Sequence, residues 1–191
     1  MDTSTLIMIG AVAVILLIGL LMVQKQRSAK LRERFGPEYE HTVSEYGDQR
    51  RAEAELAARQ KRVEKLNIHP LSPEDHDHFA SAWQEAQARF VDDPSSAIVE
   101  ANQLVKELMA ARGYPVGDFE QRAADISVDH PNVVMNYRAA RDIAMADRNG
   151  NGNGRVSTED LRQAMVHYRA LFEELLETDE QPVQKTEEVA G

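Results

Sequence analysis

The chain has 191 residues, which is enough for one modest domain with accessory segments but not for two full domains. Its formal net charge of −10 makes nucleic acid a poor partner, because such binding depends on neutralising phosphates with Lys and Arg. It contains no cysteine, so disulfides, thiolate metal sites and cysteine nucleophiles are excluded.

The first predicted element is a transmembrane helix within residues 1–24. The segment Thr3–Gln24 carries no charged residue, and Leu6–Val23 is apolar apart from its glycines. About 20 such residues cross a hydrocarbon core of about 30 Å, and only a helix satisfies its own backbone hydrogen bonds there. A cleaved signal peptide, the alternative, requires positive charge before the apolar run, where this chain has only Met1 and Asp2.

A basic juxtamembrane segment follows at residues 25–36. It contains one acidic residue, Glu33, and five basic residues: Lys25, Arg27, Lys30, Arg32 and Arg34. Because positive charge favours the cytoplasmic side, we expect the N-terminus outside the plasma (inner) membrane and the later residues in the cytoplasm. The same charges attract anionic lipid by about 1 kcal/mol each near the surface.

Residues 37–68 are predicted to form a charged helical arm. One apolar stripe contains Tyr39, Val43 and Tyr46; after Gly47 it restarts, shifted, at Ala52, Leu56, Val63 and Leu66. Heptads are not sustained, which argues against a coiled coil. We expect the later helices to fold without the arm and to leave it available to dock a partner. The alternative is that Tyr39, Val43, Tyr46 and Leu56 belong to the core.

Residues 69–177 are predicted to form a small bundle of about five helices, so the fold class is all-α. Four helix starts carry capping signals: Ser72 with Asp75, Asp93-Pro94, Asp118 with Gln121, and Ser157 with Asp160. The helix that starts at Asp118 is predicted to run through Ile126, and a further helix is predicted to open at His130-Pro131. The last helix has an apolar stripe at Leu161, Met165, Tyr168, Phe172 and Leu175. The acidic tail, residues 178–191, is expected to be disordered.

The stretch NGNGNGRVSTED resembles the calcium loop of EF-hand proteins over twelve residues. The resemblance implies these metal ligands: Asn149, Asn151, Asn153, Arg155 through its carbonyl, Ser157 and Asp160. Asn stands first where the family prefers Asp, and Asp stands last where Glu is usual. With one carboxylate among the ligands we expect no tight calcium binding. The alternative explanation is a turn-forming Asn-Gly run followed by a capping box at Ser157.

The stretches RFGPEYEHTVSEYG, GYPVGDFEQRAADISVDHP and STEDLRQAMVHYRALF resemble a group of bacterial single-pass membrane proteins. The resemblance extends from about Leu31 to Leu176 and implies a bacterial plasma membrane. It carries over no activity, cofactor or catalytic residue.

The sequence therefore favours a non-catalytic role, that of a membrane-anchored adaptor or scaffold that binds another protein. No P-loop, GxSxG or HExxH motif is present. Two alternatives stay open. One is a calcium sensor that uses the Asn-Gly loop, and the other is an enzyme whose site is assembled only in the fold.

Overall fold

A computed structural model describes residues 3–149 and 156–177, with side chains for residues 15–19, 21–148 and 156–177. All regular structure in these ranges is helical, which confirms the predicted all-α class. The helices are α1 Thr3–Phe35, α2 Pro37–Tyr46, α3 Gln49–Val63, α4 Pro73–Arg89, α5 Pro94–Ala111, α6 Phe119–Asp129, α7 Val134–Asn149 and α8 Thr158–Glu177.

Two predicted segments fall partly or wholly outside these residues. The predicted anchor, residues 1–24, has most of its side chains outside the described set, and the predicted acidic tail lies outside it entirely. Among the residues that are described, no helix is both long enough and apolar enough to cross a membrane.

The helix starts follow local side-chain chemistry. The Ser72 hydroxyl accepts from the Asp75 amide at 3.0 Å, as predicted for the start of α4. Asp93 and Asp118 accept in the same way at the starts of α5 and α6, at 3.1 and 3.0 Å. Each of these caps satisfies one of the backbone amides that a helix leaves unpaired at its N-terminus. The three predicted caps are confirmed.

Two predicted boundaries shift by a few residues. Helix α6 continues past Ile126 to Asp129, and the His130 amide still donates to the Ile126 carbonyl at 2.8 Å. Helix α7 begins at Val134 and not at Pro131, because residues 131–133 form a turn first.

The main core lies among α4 to α8, with α8 packed against α4, α5 and α7. All five members of the predicted α8 stripe are buried: Leu161, Met165, Tyr168, Phe172 and Leu175. The Trp83 ring stacks on Phe172 with centroids 4.4 Å apart, which joins α4 to α8. The predicted stripe therefore is the centre of the bundle.

The predicted arm differs from the structure in two respects. It is two helices, α2 and α3, because Gly47 adopts the left-handed conformation at φ 63° and ends α2. The two helices pack on each other, and α3 packs on α6. Phe35, Tyr39, Leu56, Val63 and Val128 form a second apolar cluster there. The expectation that the arm would be available for docking is therefore wrong for this stripe, whose Tyr39 and Leu56 are already buried.

The segment between α3 and α4 closes over the end of α5. The His69 amide donates to the Arg112 carbonyl at 3.1 Å, and Gly113 adopts φ +90° directly after α5. A Cβ atom on Gly113 would overlap the Asn67 carbonyl oxygen and lie 3.0 Å from the carbonyl carbon. Glycine is required here by both its conformation and the close backbone approach.

Candidate binding groove

The predicted calcium ligands are only partly described by the structure. Asn151, Asn153, Arg155 and the side chain of Asn149 lie outside the described residues. Ser157 and Asp160 bind each other: the Ser157 hydroxyl donates to Asp160 Oδ2 at 2.7 Å, and the Asp160 amide donates back to Ser157 Oγ at 3.1 Å. These hydrogen bonds hold the pKa of Asp160 below its usual value. The described part of the site is therefore a capping box for α8.

No metal-binding cluster occurs in the part of the chain that the structure describes. Within those residues, no three His, Asp or Glu side chains come together in a way that could hold an ion. The observed role of Asp160 is a local hydrogen-bonding one.

A groove of about 570 Å³ opens between α5, the start of α6 and the second half of α7. Its volume lies within the range of about 300–1,000 Å³ that is typical of small-molecule sites. The side chains that line it from α7 recur at helical spacing, at Arg141, Ala144, Met145 and Arg148. One face of α7 thus forms one wall of the groove.

The floor of the groove is apolar. Ile98, Phe119 and Tyr168 are buried and present their side chains to it. Val99 on α5 and Met145 on α7 also line it and remain exposed to solvent. The groove therefore offers apolar surface at Val99 and Met145 that a ligand could remove from water.

The walls carry four cations against a single anion, Asp147, although the whole chain is acidic. The cations are Lys106, Arg122, Arg141 and Arg148. A concave surface with one sign of charge concentrates its field and attracts ions of the opposite sign. The groove is thus a basic site on an acidic protein.

Two of these cations are held in place by neighbouring groups. The Arg122 side chain is buried, donates from Nε to the Tyr137 hydroxyl at 3.2 Å, and donates from Nη1 to the carbonyls of Val116 and Gly117. The Arg141 guanidinium lies 4.0 Å from the centroid of the Phe119 ring, a cation–π contact. Both positive charges are therefore preorganised beside the apolar floor.

The other two cations, Lys106 and Arg148, take part in no hydrogen bond or ion pair with any residue that the structure describes. Lys106 is half-buried on α5, and Arg148 is exposed near the end of α7. They flank the groove from opposite helices. Both charges are free to engage an anion without first giving up a partner in the described chain.

The Tyr168 hydroxyl is buried without a hydrogen-bond partner among the described residues. Burial raises the pKa of this phenol above its ordinary value, so the hydroxyl is neutral and can donate. Because Tyr168 lines the groove, a ligand oxygen is one group that could accept from it.

A second cluster of charges is structural. Glu38 is fully buried, and its Oε1 accepts from Arg59 and from Arg138, each at 2.8 Å. Arg62 donates to the buried Asp125 at 2.7 Å. These ion pairs join α2 and α3 to α6 and α7. They explain why Arg59 stands on the apolar side of α3.

Neither the groove nor the buried ion pairs were predicted from the sequence. The spacing of Arg141, Met145 and Arg148 was an available signal, because it places two cations and an apolar side chain on one helix face.

No protein-family model, curated protein or solved structure that was compared with the chain matches it.

Proposed function

We propose that this chain is a single-pass membrane protein whose cytoplasmic helical body is a non-catalytic adaptor for another protein. The single observation that carries the proposal is the continuity of α1 over Thr3–Phe35. This helix extends from the uncharged N-terminal run through the basic segment into the folded body. The apolar run and the five basic residues after it supply the anchor and its orientation.

The C-terminal end of α1 is built into the body. Phe35 is fully buried in the second apolar cluster. The Arg32 guanidinium lies 4.9 Å from the centroid of the Tyr39 ring, and Arg34 lies 3.9 Å from Asp129 on α6. The helix that would leave the membrane is thus packed against the body and not joined to it by a flexible linker.

This packing gives tethering a defined geometry. The 12 residues that follow Val23, ending at Phe35, rise about 18 Å at 1.5 Å per residue. The body would be held at roughly that distance from the end of the apolar run, with one face turned to the lipid. A partner that binds the body gains a high effective concentration at the membrane without any catalysis.

The buried charges also support a non-catalytic role. Glu38 forms an ion pair with Arg59, and Asp125 forms an ion pair with Arg62. Such pairs hold neighbouring helices in register. They explain the buried ionisable groups without assigning any of them to a reaction.

Topology can be tested directly because the chain has no cysteine. A single cysteine is introduced at Ser4→Cys, before the apolar run, or at Ser81→Cys, which is exposed on α4. A membrane-impermeant maleimide is then applied to intact cells and to lysed cells. We expect labelling of Ser4→Cys in both and of Ser81→Cys only after lysis. Labelling of Ser81→Cys in intact cells, or release of the chain by alkaline carbonate, would contradict the proposal.

The adaptor role is tested by crosslinking in native membranes. A photoreactive side chain is placed at exposed positions of the body, and the same positions are used in a chain that lacks residues 1–24. We expect a discrete protein adduct with the full chain that falls strongly when the anchor is removed. An equal yield of crosslinked adduct from both chains would show that the membrane anchor does not contribute to partner binding.

A further inference from the structure

We propose that the groove between α5, α6 and α7 binds an organic anion with an apolar body, such as an aromatic carboxylate. This inference goes beyond the adaptor role and does not depend on the membrane anchor. It rests on three independent features of one cavity: its charge, its exposed apolar side chains, and one buried hydroxyl that has no partner among the described residues.

The charge of the walls selects an anion. Arg122 and Arg141 are fixed beside the floor, while Lys106 and Arg148 have no partner in the described chain. Hydrogen bonds from Arg or Lys to an ionised oxygen are roughly twice as strong as those between neutral groups. An anion entering the groove therefore meets two donors, Lys106 and Arg148, that do not have to leave an acceptor in the described chain, whereas a cation would be repelled. Arg122 and Arg141 add positive charge while keeping their own acceptors, which for Arg141 is Glu120 at 3.4 Å.

The floor selects against a small inorganic anion as the whole ligand. Phosphate or sulfate would satisfy the cations but leave the exposed Val99 and Met145 side chains in water. An apolar body would cover these two side chains and remove their surface from water. A cavity of about 570 Å³ has room for both the charged group and such a body.

The Tyr168 hydroxyl supplies the third feature. It is buried in the floor, and no described residue accepts its hydrogen. A buried polar group without a partner is uncommon in native proteins and lowers stability. A carboxylate oxygen held by the cations would provide the missing acceptor. Tyr168→Phe should therefore weaken ligand binding while leaving the stability of the free protein unchanged or slightly higher.

The test uses the full chain in phosphatidylcholine nanodiscs and follows a fluorinated probe by ¹⁹F relaxation. The probe is 4-(trifluoromethyl)benzoate. Its amide lacks the charge but keeps the body, and trifluoroacetate keeps the charge but lacks the body. We expect the benzoate to bind with a dissociation constant on the order of 1 mM, from its size. Both comparison compounds should bind at least about tenfold more weakly.

A matched pair of variants locates the site. Lys106→Gln with Arg148→Gln removes two groove cations that have no partner in the described chain, so the fold should be unaffected. Lys61→Gln with Arg50→Gln removes the same two charges from exposed positions outside the groove. We expect the first pair to weaken benzoate binding about tenfold or more and the second pair to leave it unchanged.

Five results would overturn the proposal. The first four are no benzoate binding at a ligand concentration about ten times the expected dissociation constant, equal binding of the amide, equal loss of binding in both variant pairs, and full binding by Tyr168→Phe. Binding that occurs only after residues 178–191 are deleted would also overturn it, because the acidic tail would then be the natural occupant of the groove.

Discussion

Glu38 is a single buried side chain on α2 that connects this helix to α3 and α7. Its carboxylate is fully buried and joins Arg59 on α3 to Arg138 on α7, which are far apart in sequence. Removing one partner of such a group leaves the other charges buried without compensation. The arrangement explains why a Glu is tolerated inside an otherwise apolar interface between α2 and its neighbours.

We expect Glu38→Gln to destabilise the protein by about 3 kcal/mol or more, because two arginines lose their shared anion. The matched control is Glu40→Gln. Glu40 pairs with Arg32 at 3.2 Å on the surface, and exposed pairs contribute about 0–1 kcal/mol. Chemical denaturation of both variants measures the difference in unfolding free energy. Equal losses of unfolding free energy in the two variants would show that the buried Glu38 ion pairs contribute no more to stability than the exposed Glu40 pair.

Gly113 gives a second prediction at the scale of a single residue. Alanine there would combine a positive φ with a Cβ that overlaps the Asn67 carbonyl oxygen. We expect Gly113→Ala to lower the unfolding free energy by about 2 kcal/mol or more. A Cβ added to Gly117 would have no other atom within 4 Å, and φ is not positive there, so Gly117→Ala should be neutral or slightly stabilising. If thermal unfolding shows only a small loss of stability for both variants, the close approach of residue 113 to the Asn67 carbonyl is contradicted.

At the scale of the element, the start of α8 has two competing explanations, a capping box and a calcium loop. The carboxylate of Asp160 already accepts from the amide and the hydroxyl of Ser157, at 2.9 and 2.7 Å. A loop whose side chains bring one carboxylate belongs at or below the weakest class of calcium sites. We therefore expect calorimetry to detect no calcium binding tighter than about 1 mM. A micromolar constant that Asp160→Ala abolishes would establish the sensor alternative instead.

The same cap predicts a pH dependence. The Ser157 hydrogen bonds lower the pKa of Asp160 in the folded state. The stabilisation is therefore fully present above the ordinary aspartate pKa of about 4 and is lost as the pH falls through the lowered folded value. Amide exchange in the first turn of α8 should increase in that acidic range. In Asp160→Asn the same amides should show no such transition; an identical profile in both proteins would rule out this cap as its cause.

At the scale of the whole molecule, the question is whether α4 to α8 fold without the segments before them. The main cluster draws nearly all its residues from these five helices, which favours independent folding. However, removal of α2 and α3 exposes Val128, deprives the buried Asp125 of its ion-pair partner, and leaves the largely buried Arg138 paired with Glu120 alone. The body should therefore be autonomous but weakened.

Comparison of residues 68–177 with residues 25–177 tests this. We expect the shorter fragment to keep a cooperative thermal transition but to lose about 2–4 kcal/mol, because buried charges lose their partners. For a protein of this size, that corresponds to a decrease in Tm of roughly 5–15 °C. Loss of the cooperative transition would make α2 and α3 integral to a single core.

The sequence by itself determined the features that depend on neighbouring residues. Ser72, Asp93 and Asp118 predicted three helix starts, because each cap bonds an amide only three positions away. The α8 stripe from Leu161 to Leu175 predicted its own burial, because helical spacing places those side chains on one face. Gly47 marked the interruption in the arm for the same local reason.

Only the tertiary structure decided which faces meet. Arg138 reaches Glu38 across 100 positions of the chain, and no spacing in the sequence relates the two. The groove likewise combines Lys106, Phe119 and Arg141 from three helices. Its basic charge cannot be read from an overall net charge of −10. Capping and helical periodicity act over a few residues, whereas a binding site and a buried ion pair require side chains that only long-range packing brings together.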